Sequence, residues 1–427
     1  LVQSLAFSQE DYPDLNQISK RLKALDKNSN VEHSILTKTE GGKDIHVLKI
    51  GTGDANNKTA IAVVGGVEGY HLLSVELALQ FAERIAADEE ALENTSYYVF
   101  PNMSPEAYAQ YHNDLKYERR GNAANLDHDR DGRLNEDPYE DLNKDGFITQ
   151  FRVESPLGNY VAHPQDSRVL IKVDTTSSNS TRYQLYSEGI DNDNDGKFNE
   201  DLKEGVAFNK SFTYNFPAFE PLAGDYAVSQ KESRALLDYL FKQWNIYAFV
   251  TFGPANNLSS PLKHNAQEAK KRIVSSPLEG DVAINKMISE IYNETISQEP
   301  FMQDNKGTDG DFFQWAYFHF GRLSFSTPGW WVPEAEKDSV STPDKKIKET
   351  KVSNFLKWAE QENIDTVFVE WEKVNHPNFE NQTVEVGGVK PFVMENPPFS
   401  KLNNIVTEHP DFILKLAQQQ PKLEFHN

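Results

Sequence analysis

Apolar positions along this 427-residue chain switch between a period of two and a period near 3.6, the pattern of strands alternating with helices. Residues 33–51 alternate about Gly41 and Gly42 and predict a hairpin, with Val47, Leu48 and Ile50 on its second arm. Thr59–Val64 is a short continuous apolar run, as expected of a buried strand, and it ends on Gly65 and Gly66. Leu72, Val75, Leu79, Ala82 and Ile85 then recur at helical spacing and predict a helix over 71–87. Residues 97–100 and Ile246–Phe252 read as further buried strands, the second stopping at Gly253 and Pro254. Ser229 and Glu232 have the spacing of a capping box, which predicts a helix from there to about 244. Further helices are expected over 283–297, 311–320 and 353–362, with short strands over 322–326 and 366–370. This alternation implies an α/β fold: a mixed, mostly parallel central sheet with helices on both faces. Ligands in such sheets bind beyond the carboxyl ends of the strands, so residues just after Val64, Phe252 and Ser326 matter most.

The segment 125–204 breaks the rhythm. It is rich in Asp, poor in apolar runs, and reads as an insertion in a single domain spanning 10–427. Asp127, Asp129, Asp131, Gly132, Asn135 and Asp137 are matched by Asp191, Asp193, Asp195, Gly196, Asn199 and Asp201. Asp141, Asn143, Asp145 and Gly146 open a third copy between them. Oxygens at alternate positions converge on one hard cation, and the Gly permits the sharp turn, so these loops predict calcium in a structural role. The twelfth position of a standard loop takes a bidentate Glu, whereas here it is Pro138, Arg152 and Leu202. Asp137 and Asp201, one place earlier, are candidates for a variant loop. The middle copy has no acid near its end and needs help from a neighbour. The loops alone resemble those of thrombospondin type 3 and dockerin repeats.

Charge narrows the partners. Lys and Arg number 43 against 65 Asp and Glu, a net charge of −22, which argues against tracking a nucleic-acid backbone. The chain has no cysteine, so thiolate zinc sites, cysteine nucleophiles and disulfides are excluded, and a transition metal must be held by His, Asp or Glu. No apolar run approaches the roughly 20 residues that span a bilayer. Residues 1–9, with Leu1, Val2, Leu5 and Phe7, read as the tail of a secretory signal, which implies a secreted or periplasmic bacterial protein.

Gly65, Gly66, Val67, Glu68, Gly69, Tyr70 and His71, between a strand and a helix, resemble the metal-binding turn of the zinc carboxypeptidase family (carboxypeptidase A-like metallopeptidases). That turn reads G-G-x-H-x-x-E, and its His and Glu bind zinc. Here the two are exchanged, with Glu68 at the His position and His71 at the Glu position. Arg119 and Arg120 resemble the family's segment with a substrate-contacting Arg. Asn209 and Lys210 resemble its Asn-Arg pair that grips a terminal carboxylate, with Lys in place of Arg. Residues 229–232 resemble its S-E-P-E helix start. Gly253 falls where the family has its third zinc ligand, a His, and Thr327 or Pro328 falls where it has its catalytic Glu. The resemblance implies the fold over nearly the whole chain, a peptide or small-molecule ligand, and zinc at Glu68 and His71 only if another donor such as His264, His319 or Glu334 arrives.

Catalytic zinc takes three protein ligands and an open position, and hydrolysis on it needs a general base. Gly253 offers no ligand, and neither Thr327 nor Pro328 is a base. Three readings follow: a catalytically degenerate relative with a ligand cleft, which the residues favour; a hydrolase with a rearranged metal site; and a calcium-dependent adhesion or assembly protein. The aromatic concentration at Phe312, Phe313, Trp315, Tyr317, Phe318, Phe320, Trp330 and Trp331 reads as core first.

Overall fold

The computed structural model describes residues 11–128, 130–173, 180–300, 307–333 and 350–420. In chain order its elements are α1 (Leu15–Leu25), β1 (Val31–Lys38), β2 (Asp44–Ile50), β3 (Thr59–Val64), α2 (Leu72–Ala86), β4 (Thr95–Phe100) and α3 (Pro105–Ala109). There follow β5 (Gln150–Glu154), β6 (Tyr160–Ala162), β7 (Leu170–Lys172), β8 (Tyr183–Ser187), α4 (Lys231–Leu240), β9 (Ile246–Phe252) and α5 (Glu279–Thr295). The chain closes with α6 (Phe312–Phe318), β10 (Leu323–Thr327), α7 (Lys351–Gln361), β11 (Phe368–Val374), β12 (Val384–Val389) and α8 (Ile405–Ala417). Among the described residues no helix is long and apolar enough to cross a membrane.

The first sheet has six strands in the order β1-β2-β4-β3-β9-β10. β4, β3, β9 and β10 run parallel, and β1 and β2 add an antiparallel edge. Strand periodicity divides its side chains between two cores. On one face Ile61, Val63, Val99, Val250 and Phe252 pack with α1, α2, α5, α7 and α8 through residues such as Leu22, Leu79, Tyr292, Phe355 and Phe412. On the other, Ala60, Ala62, Val64, Phe100 and Phe249 pack with α4 and α6 through Leu236, Leu240, Phe312 and Trp315. Each fully buried large side chain contributes about 1.5–3 kcal/mol, so both layers are held to the sheet. This is the mixed, mostly parallel α/β sheet with helices on both faces that the periodicity predicts.

The Asp-rich segment differs from expectation. It supplies β5 to β8, which join β11 and β12 in a second, fully antiparallel sheet ordered β11-β12-β5-β8-β6-β7. Its small core is Phe151 and Val153 from the segment with Val384 and Val386 from near the C-terminus, under Tyr186, Phe198 and Phe379. These strands are short and half exposed, so the apolar signal in any one of them is slight.

The expected capping box is also absent. α4 begins at Lys231 with Gln230 as its N-cap and no side-chain cap, because the buried Glu232 carboxylate instead accepts from Asn122 Nδ2 at 2.6 Å.

Candidate functional site

Strands β3, β9 and β10 end side by side, and the turn after β3 carries Glu68 and His71. Gly66 adopts φ +63°, and its N–H donates to Ser74 Oγ at 3.0 Å, which ties the turn to α2. A Cβ on Gly69 would lie 2.1 Å from Ala107 Cβ, so the turn packs against α3 through bare backbone.

Glu68 is 3% exposed. Its Oε1 accepts from Asn209 Nδ2 at 3.1 Å, and its Oε2 pairs with an Arg120 terminal nitrogen at 3.5 Å. Asn209 is fixed in turn, since its Oδ1 accepts the Phe312 N–H at 3.1 Å. Arg120 lies over the Tyr70 ring at 5.7 Å, and the Glu68 charge holds its pKa above the usual value. The Glu204 carboxylate accepts the N–H groups of Arg120 and Gly121 at 2.8 and 2.7 Å, setting that backbone. Thus Glu68, Arg120 and Asn209, far apart in sequence, meet at one point.

His71 is buried, and its Nε2 has no hydrogen-bond partner. Burial lowers its pKa to about 4, with a backbone hydrogen bond to Pro328 opposing the shift, so the imidazole is neutral at pH 7. Gly253 is closed off: a Cβ there would lie 2.8 Å from Val67 Cγ2. Thr327 faces α5 and α8. Its Oγ1 is 2.8 Å from Tyr292 Oη, which is 3.2 Å from His409 Nε2. His409 Nδ1 donates to the Ile405 carbonyl at 2.8 Å, so Nε2 of the neutral ring accepts from Tyr292, and Tyr292 accepts from Thr327.

Other predicted residues lie apart from this point. Arg119 donates to the carbonyls of Gly121 and Asn122 at 2.9 and 2.5 Å. Lys210 turns to Glu220 and the Pro221 carbonyl, at 3.3 and 3.2 Å. His264 bonds to the Pro277 carbonyl and His319 to Thr213, so neither stands in for the missing ligand, and Glu334 lies outside the described residues. Among the described residues, no group of three metal-binding side chains includes Glu68 or His71. Two donors, one of them already satisfied by a cation and an amide, do not fit a zinc centre that requires three.

Beside Arg120 a cavity of about 530 Å³ opens between the strand ends and the second sheet, lined by Tyr70, Glu118, Arg120, Arg168, Trp371 and Glu395 among others. Burial raises the Glu118 and Glu395 carboxyls above the usual range, and their mutual repulsion adds to the Glu395 shift. Nothing in the local sequence marks Glu204 or Glu395, which reach the site from separate segments.

The three Asp-rich loops share one backbone. Arg130, Lys144 and Asn194 have positive φ at the fourth position, and Gly132, Gly146 and Gly196 at the sixth. Each of those Gly N–H groups donates to the first Asp of its loop (Asp127, Asp141 and Asp191) at 2.9, 2.8 and 3.0 Å. Asp129 lies outside the described residues. Two groups of acids are placed to hold a metal ion: Asp191, Asp193 and Asp195, and Asp137, Asp193 and Glu200, each with one oxygen per residue within 4.8 Å of the others. Asn143 donates to Asp145 at 3.1 Å, and Asn199 Nδ2 donates to the Glu188 carbonyl at 3.0 Å. An acid from outside the middle loop braces its backbone. Glu188 is fully buried and accepts the Leu142 and Thr149 N–H groups, both at 2.8 Å.

The zinc carboxypeptidase family profile matches residues 18–356. No curated protein matches the chain at a significant level. Among solved structures, thrombin activatable fibrinolysis inhibitor is similar with a TM-score of 0.51 at 11% identity, over 97% of this chain and 78% of that one. Carboxypeptidase A from Helicoverpa armigera matches with a TM-score of 0.43 at 14% identity, over 74% of this chain and 63% of its own. A metallo-carboxypeptidase from Burkholderia cenocepacia matches with a TM-score of 0.36 at 11% identity, over 73% and 58%. With the profile spanning most of the sequence, and the expected turn, strand ends and sheet in place, this chain belongs to the zinc carboxypeptidase family.

Proposed function

We propose that this protein is a non-hydrolytic zinc carboxypeptidase relative that binds a peptide or small polar ligand in the cleft beside Arg120 and carries structural calcium in its Asp-rich loops. One observation carries the reading: Glu68, at a zinc-ligand position, is buried against Arg120 and Asn209, while Val67 occupies the space a side chain at 253 would need. A guanidinium already neutralises the carboxylate that would otherwise attract a metal. The general base is missing as well, because Thr327 is a hydroxyl turned toward Tyr292, and that role is worth about 10²–10⁴ in rate. The cleft suits a ligand with an anionic group and an apolar or aromatic part. Arg120 Nε is buried without a partner, and Tyr70 and Trp371 offer flat faces nearby.

The calcium reading is supported by the shared loop backbone and by converging carboxylates that repel one another without a cation. One observation favours a rearranged hydrolytic site instead: the unpartnered Nε2 of His71, an imidazole nitrogen free to take a metal. The same experiment decides between the two. The purified chain is equilibrated with zinc, its metal content is measured, and it is assayed on peptides ending in aromatic or basic residues. Substoichiometric zinc without turnover is expected. Stoichiometric zinc, with turnover abolished by Glu68→Ala, would overturn the proposal.

A further inference from the structure

The first and third Asp-rich loops have no acid at the twelfth position, where Pro138 and Leu202 stand. Each instead reaches across to the other. Asp137 Oδ1, at the end of the first loop, accepts the N–H of Asn192, the second residue of the third, at 2.7 Å. Asp201 Oδ1, at the end of the third, accepts the N–H of His128, the second residue of the first, at 3.0 Å. The two contacts occupy the same register in both loops. Asp201 Oδ2 also accepts the Asn135 N–H.

Asp137 supplies an independent sign of a ligand. It is fully buried, and its Oδ2 has no hydrogen-bond partner. The groups it approaches are the carboxylates of Asp193 and Glu200, and Glu200 Oε2 is likewise buried without a donor. A buried carboxylate oxygen facing further carboxylates and no N–H is compensated by a cation or by a shared proton, and the number of acids gathered here suits the cation. Asp193 belongs both to this group and to the group with Asp191 and Asp195. The oxygens are all hard and number enough for most of the six to eight that calcium takes.

Resting on the calcium reading above, we infer that the third loop's divalent cation is completed in trans by Asp137, so that one ion bonds residues 137 and 191–200 and clamps together the two ends of the inserted segment. Strands β5 to β8 lie between those ends, so the clamp closes the base of the second sheet in a chain without cysteine. It also reaches the cleft. His128 Nε2 is 2.6 Å from the Glu204 carbonyl, and the Glu204 carboxylate holds the backbone of Arg120.

The test uses the full chain and calcium alone, titrated calorimetrically after chelator treatment. Asp193→Asn identifies the third-loop site and Asp127→Asn the first-loop site. Asp137→Asn is expected to weaken the site lost in Asp193→Asn by at least tenfold and to leave the other in place. If it removes the site lost in Asp127→Asn instead, closure is local and the inference falls, while the calcium reading stands. If the wild-type chain binds no calcium, both fall. Should Asp137→Asn fail to fold, a crystal structure of the calcium-soaked wild type decides. A cation bonded to Asp193 with an Asp137 oxygen at about 2.3–2.6 Å supports the clamp, and one without Asp137 overturns it.

Discussion

Restoring the family's imidazole by Gly253→His tests whether the third ligand position is closed by packing. A Cβ at 253 would stand 2.8 Å from Val67 Cγ2, well inside contact distance. Val67 is 1% exposed, in the core formed with Val64, Phe208 and Phe249, and its β-branched side chain has little rotameric escape. Gly253 does not have a positive φ, so the backbone itself admits a side chain and the cost is steric. Overpacking of this kind costs about 1–3 kcal/mol. Val67→Ala removes two methyl carbons, at about 0.8 kcal/mol each plus a cavity contribution. If Val67 is the obstacle, Gly253→His fills the space that Val67→Ala opens. The combined variant then loses less than the sum of the single losses, by about 1 kcal/mol or more. Equilibrium urea unfolding followed by tryptophan fluorescence, with chelator present so that metal contributes nothing, reads all four proteins. A Gly253→His variant as stable as wild type, or losses additive within about 0.5 kcal/mol, would refute the packing argument.

Three further outcomes are expected. Glu68→Ala strands Asn209 Nδ2 and leaves Arg120 unpaired, so stability drops by about 1–3 kcal/mol in urea unfolding, with Glu68→Gln losing less; no loss would mean that the network carries no energy. Tyr292→Phe breaks the chain from Thr327 to His409 and costs about 1–3 kcal/mol by the same measurement, because both former partners stay buried; a neutral result would contradict it. Burial lowers His71 and His409 to about 4, below the unfolded value of about 6.5, so the unfolded chain binds more protons between those pH values, and stability is lost as pH falls through that window, by about 3 kcal/mol per residue. Asp311, raised to about 7 by burial, works in the opposite direction over the same range, so the His409 share is read as the difference between wild type and His409→Gln. Nuclear magnetic resonance titration checks the shifts directly, and the argument fails if either ring protonates near 6.5.

The central sheet was legible because its middle strands are buried on both faces. β3 and β9 have the predicted limits, as continuous apolar runs between glycine or polar stops. The second sheet was not, because its strands expose one face and draw half their core from residues more than 200 positions away, as Phe151 does with Val386. The site divides in the same way. The turn at Glu68 and the bare position at Gly253 could be read from spacing, which is local. That Arg120 and Asn209 would claim Glu68, or that Glu188 would brace the backbone of the middle Asp-rich loop, depends on contacts spanning 39 to 141 residues, which no periodicity encodes. The Ser229 and Glu232 box failed for a related reason. Its spacing was right, but the Asn122 amide offered a buried carboxylate a better partner than the helix end did.

The exchange at positions 68 and 71 has a consequence in charge. A carboxylate at 68 sits within reach of Arg120, whereas an imidazole there would leave that guanidinium facing an uncharged ring. With the acid at 68, an internal cation neutralises it, and Asn209 completes its hydrogen bonding. With the imidazole at 71, the second position is neutral at pH 7 and buried beside the Pro328 backbone. The turn is therefore electrically complete without a divalent ion. By contrast, the carboxylates of Asp137, Asp193 and Glu200 converge with Asp137 Oδ2 and Glu200 Oε2 left without donors. On the calcium reading proposed above, positive charge is needed at the inserted loops rather than at the strand ends, so a calcium chelator should destabilise the protein while a zinc-specific one should not.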